Sequence, residues 1–104
     1  MTTVTLLSSE GKLTGFMCKG HSGFARAGKD IVCAAVSDLS TTCANALESV
    51  AGIEPEIEVD DGYMKVTLPQ GCDNHDALVI LRTFEQGMRD IQASYPKYIQ
   101  ITTR

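Results

Sequence analysis

Two stretches of helical periodicity, each preceded by a pair of strand-like segments, constrain this 104-residue chain more than any other feature. In the first stretch Val32, Val36, Leu39, Cys43, Leu47 and Val50 recur at helical spacing, and Ala34, Ala35, Ala44 and Ala46 add intrinsic helix preference. Asp30 is placed to cap its start and Gly52 to stop it. In the second stretch Ala77, Leu78, Leu81, Phe84, Met88 and Ile91 share one face, beginning near Asp73 or Asn74 and ending before Pro96.

The segments between read as strands. Val4 and Leu6 alternate with Thr3 and Thr5 over residues 2–8, a turn follows at Ser8 to Gly11, and Leu13 to Lys19 returns, with Gly15 marking a bulge. Ile57 to Val66 forms a hairpin about Asp61-Gly62, which predicts a two-residue type I′ turn. That register sets Val59 against Met64, Glu58 against Lys65 and Ile57 against Val66, so apolar meets apolar and acid meets base. Tyr98 to Thr102 is a last strand. The order ββαββαβ predicts an α+β fold in which a mostly antiparallel sheet packs with two helices. A single domain over residues 1–104 is expected at this length.

Composition narrows the function. Hydrophobic residues make up 43% of the chain and charged residues 21%, which argues against disorder. A net charge of −4 and a pI near 5.0 argue against nucleic-acid binding and fit a basic partner. Met1-Thr2-Thr3-Val4 does not begin a signal peptide, and no run approaches a membrane span, so the expected location is the cytoplasm. There thiols stay reduced, and Cys18, Cys33, Cys43 and Cys72 read as core residues, ligands or nucleophiles.

The chemistry concentrates in residues 20–37. With Asp30 as the cap, Cys33 falls in the first helical turn, where free N–H groups and the positive dipole end favour an anion such as a thiolate. His21 lies on a loop containing Gly20, Gly23 and Gly28 that leads into the same helix end, long enough to bring imidazole to sulfur. Three other readings stand beside a Cys–His pair. Cys33 in a run of Ile, Val and Ala fits a buried small hydrophobe. Asp30 serves as a cap, as an orienting partner of His21, or as both. Ser37, one helical turn beyond Cys33, faces the same pocket or bonds its own helix backbone. Cys18-x-x-His21 and Cys72-x-x-His75 also offer a Cys₂His₂ zinc set, although the usual C-x₂-C spacing is absent.

Gly20 to Ser37, with its Gly-His-x-Gly loop and the run Asp-Ile-Val-Cys-Ala-Ala-Val-Ser over residues 30–37, resembles the signature of the ribosomal-processing cysteine protease family, Prp. The element order and length agree over the whole chain. The resemblance implies a small α+β homodimer that removes the N-terminal extension of a bacterial large-subunit ribosomal protein, cutting after a Phe-rich motif. It implies a Cys–His dyad at Cys33 and His21, with Asp30, Ser37, Gly20, Gly23 and Gly28 as supporting or substrate-pocket positions. The site it implies contains no metal, and the family uses no cofactor. The place after the histidine, often Ala in relatives, is Ser22 here. A non-enzymatic ribosome-assembly module that binds the same basic protein is the alternative, and the acidic pI fits it equally.

Overall fold

The alternating segments form strands β1 (Thr2–Ser9) and β2 (Lys12–Lys19) of one hairpin in the computed structural model, which describes residues 1–21, 23, 25, 26 and 30–104. Glu10 and Gly11 close it with φ of 55° and 79°, the pair of positive angles that a type I′ turn requires. The bulge lies beside its expected place. Leu7 pairs with Gly15 but Ser8 with Leu13, so Thr14 is the extra residue.

Helix α1 (Ile31–Ser49) follows, then β3 (Glu56–Asp60), β4 (Tyr63–Thr67), helix α2 (His75–Ser94) and β5 (Ile99–Thr103). The order is ββαββαβ, as the sequence predicts. Both helices begin as their caps require: Asp30 Oδ1 accepts from the Cys33 N–H at 2.9 Å, and Asn74 Oδ1 from the Ala77 N–H at 2.9 Å. Val50 does not extend the buried face of α1. It is the C-cap and is 67% exposed, because Gly52 at φ 71° turns the chain so that the Ile53 N–H reaches the Leu47 carbonyl.

The five strands form one sheet in the order β3-β4-β2-β1-β5. Only the β1–β5 pair is parallel, so the sheet is mostly antiparallel. The β3–β4 register matches the sequence expectation, with Val59 opposite Met64 and Ile57 opposite Val66. The turn type does not. Among the described residues Glu10 is the only non-glycine with positive φ, so Asp61 keeps a negative φ and Gly62 alone is left-handed, at 64°, as in a type II turn.

The core lies on one face of the sheet. Val4, Leu6, Phe16, Cys18, Val66 and Ile99 point into it from the strands. Val36, Cys43 and Leu47 meet them from α1, and Leu81, Phe84 and Met88 from α2. Phe16 and Phe84 stack with centroids 3.8 Å apart.

Gly15 answers to close approach between strands, not to the bulge. A Cβ there would collide with the Val66 carbonyl oxygen and stand 3.0 Å from Thr67 Cα. Backbone of a paired strand cannot step aside as a side chain can. Gly15→Ala is therefore expected to destabilise the protein by about 1–3 kcal/mol, read from the midpoint of urea unfolding; an unchanged midpoint would show that β2 and β4 separate at no cost.

Candidate active site

Cys33 is placed by the start of α1. Asp30 sits in extended conformation, caps the helix through the Cys33 N–H, and accepts from the Ala25 N–H at 3.5 Å with its other oxygen. The capping role of Asp30 is thus formed, and the same carboxylate ties the loop to the helix end. The first ladder bond runs from the Ala34 N–H to the Asp30 carbonyl at 3.0 Å. The helix ladder leaves the N–H groups of Ile31 and Val32 unused, at the positive end of the dipole.

His21 is placed by the sheet. β2 pairs with β4 so that Lys19 lies opposite Tyr63, and the Gly20 N–H donates to the Gly62 carbonyl at 2.8 Å. His21 follows directly, and its ring lies against the β3–β4 turn: a Cβ added to Gly62 would stand 3.1 Å from His21 Nε2. Gly20, at φ 93°, has no room for a side chain either, since a Cβ would meet the Met1 carbonyl oxygen at 2.8 Å.

Cys33, His21, Ser37, Asp60 and Asp61 line one cavity of about 370 Å³. The structure therefore brings together the two residues proposed for catalysis, with Ser37 on the same wall. Gly20 also lines the cavity. Gly23 does not; it has φ 74° and open space where a Cβ would be. Gly28 lies outside the described residues. Thr2 completes one wall, and its Oγ1 is buried with no hydrogen-bond partner among the described residues, the kind of group that a bound polar ligand satisfies.

Asp60 and Asp61 lead into the β3–β4 turn, which explains them in part, since Asp60 Oδ1 accepts from the Asp61 N–H at 2.8 Å. Their place beside His21 has no signal in the sequence. It arises because β4 pairs with β2, from the other hairpin, which carries the turn across to the histidine.

The zinc set does not assemble. Cys18 and His21 border this cavity, whereas Cys72 and His75 line a different one of about 510 Å³ beneath the start of α2. Among the described residues no three His, Cys, Asp or Glu side chains gather as metal ligands.

The cysteines divide by environment. Cys18 and Cys43 are buried, and burial pushes both thiols up from their ordinary range; for Cys18 a contact with Ser40 Oγ at 3.3 Å partly opposes this. Cys33 and Cys72 are half-buried. Brief treatment of the native protein with iodoacetamide should modify Cys33 first and Cys18 and Cys43 last, as mapped by peptide mass. Equal rates at Cys33 and Cys72 would mean that exposure alone decides reactivity and that the helix end contributes nothing.

The family model described as cysteine protease Prp matches residues 1–100. Ribosomal processing cysteine protease Prp of Bacillus subtilis (strain 168) is 28% identical over 109 residues, covering 99% of this chain and 97% of its own. The crystal structure of an essential ribosomal processing protease Prp from Staphylococcus aureus, with a covalently linked product peptide, aligns with a TM-score of 0.93 at 28% identity over 100% of both chains. A structure of the S. aureus protease with a substrate peptide aligns with a TM-score of 0.88 at 27% identity, again over 100% of both.

Proposed function

This chain belongs to the cysteine protease Prp family, and from that premise we propose that Cys33 is its nucleophile, that His21 is its general base, and that it removes the N-terminal extension of a large-subunit ribosomal protein. The observation that carries the assignment of residues is the shared cavity: Cys33 stands in the first turn of α1 and His21 against the β3–β4 turn, on the walls of one space.

The chemistry runs in two stages. Cys33 Sγ attacks the scissile carbonyl carbon while His21 accepts the thiol proton. The C–N bond breaks, the leaving amine takes that proton from the imidazolium, and a thioester remains. Water then attacks the thioester with His21 as base, releasing the new carboxylate and the free thiol. The Ile31 and Val32 N–H groups, which the helix ladder does not use, are the nearest backbone candidates for stabilising the oxyanion. Cys33 N–H is not available for this role while Asp30 holds it.

Residues 1–104 act as one protease domain in this reading. A net charge of −4 favours encounter with a basic ribosomal protein and disfavours direct binding to nucleic acid. Among the described residues no helix is long and apolar enough to cross a membrane. A cytoplasmic homodimer is the working form we propose, on the strength of the family resemblance.

The test is intact-mass measurement of a ribosomal protein carrying its extension, before and after mixing with the purified chain. Loss of a defined N-terminal segment is expected. A stable complex with unchanged substrate mass would instead support the binding-module alternative.

A further inference from the structure

β3 is an edge strand, paired with β4 alone, and every one of its side chains is exposed. Its residues alternate: Glu56, Glu58 and Asp60 point to the open face of the sheet, Ile57 and Val59 to the helix side. Ile57 and Val59 share that side with the buried Val66, yet they are 47% and 66% exposed. Five strand residues with two exposed aliphatics on an uncapped edge are a template for another strand, which folded proteins ordinarily blunt.

Gly62 directs its carbonyl to Gly20 on the β2 side, so the N–H at the other side of that same trans peptide group, the Tyr63 N–H, faces β3. With Tyr63 opposite Asp60, the hydrogen-bonded pairs on β3 are Asp60, Glu58 and Glu56. The N–H and C=O groups of Ile57 and Val59 therefore face outward, unused by the sheet. The edge also leads to the catalytic cavity, since Val59 and Asp60 line it together with Cys33 and His21.

We propose that the substrate peptide binds as an added strand along the outer edge of β3, bonded to the backbone of Ile57 and Val59. This rests on the protease reading above and specifies the peptide that the site takes. The two faces of β3 set the pattern: apolar side chains lie beside Ile57 and Val59, and basic ones beside Glu56, Glu58 and Asp60. The preferred substrate is an extended segment in which apolar and basic residues alternate.

The probe is a synthetic peptide carrying the N-terminal extension of the ribosomal protein. Val59→Pro deletes an outward N–H that β4 does not use, so the fold should survive while kcat/KM falls about tenfold. Glu58→Pro deletes an inward N–H and should unfold the hairpin, which checks the derived register. Glu56→Lys with Glu58→Lys should raise KM several-fold at unchanged kcat. Should Val59→Pro fail to fold, amide exchange on the Cys33→Ala protein decides: Ile57 and Val59 amides should slow at least tenfold when the probe binds. Full cleavage by folded Val59→Pro, or probe binding without protection of those amides, overturns the proposal. Protection in the free protein that rises with protein concentration would assign the edge to a second copy and likewise overturn it. If the unaltered chain neither binds nor cuts the probe, the protease reading itself fails, and the edge proposal falls with it.

Discussion

Cys33→Ala is expected to lower peptide cleavage by at least about four orders of magnitude, with little change in stability. The two halves of that expectation have separate causes. In the proposed mechanism the Cys33 thiol is the group that bonds to the substrate, and a methyl group cannot replace it. The helix cap uses the Cys33 backbone N–H, which alanine retains, so the start of α1 keeps its bond to Asp30. Cleavage is read by substrate mass and stability by thermal unfolding. If Cys33→Ala cleaved at the original rate, the nucleophile would lie elsewhere. Cys18 also borders the cavity, but its thiol is buried, held protonated by desolvation and engaged by Ser40, which itself donates to the Val36 carbonyl at 2.7 Å. That environment makes it a poor substitute.

His21→Ala is expected to cost roughly a hundredfold to ten-thousandfold in rate, the usual worth of a positioned base. The loss should exceed the KM change, because a general base, the role proposed for His21, acts on the proton in flight and not on the bound peptide at large. Gly62→Ala should act through the same histidine and cost less. An added Cβ meets His21 Nε2 at 3.1 Å and places a side chain at φ 64°, a conformation that costs an L-residue roughly 1–2 kcal/mol. The two effects can be separated by combining them. With His21 already alanine, the residual cleavage should not respond to Gly62→Ala. A further fall in the double variant would mean that the turn acts on the substrate independently of the histidine.

The architecture was legible from the sequence because each element carries its own local evidence. Helical spacing, the cap at Asp30, a start near Asp73 or Asn74, and the stop at Gly52 are all local signals, and the structure settles the second start with Asn74 as the cap. The register of β3 and β4 was legible for the same reason: apolar and charged pairs align across a turn of fixed length. Its turn type was not. Gly62 supplies left-handed φ whichever turn is made, and Asp61 tolerates either sign of φ, so the pair of residues does not distinguish the two turns.

The candidate site divides along the same line. Placement of Cys33 at the capped end of α1 follows from the chain itself, since Asp30 and Cys33 are three residues apart and the bond between them is local. Bringing His21 to it is a tertiary matter. β4 crosses to pair with β2, Gly62 then lies under the imidazole, and Asp60, Asp61 and the edge of β3 become walls and approach of the same cavity. No local pattern records this, because strand pairing between distant hairpins depends on the shared core formed by Phe16, Cys18 and Val66 beneath the helices. The placement of the proposed nucleophile was therefore determined by residues close in sequence, and its surroundings by residues that only packing brings close.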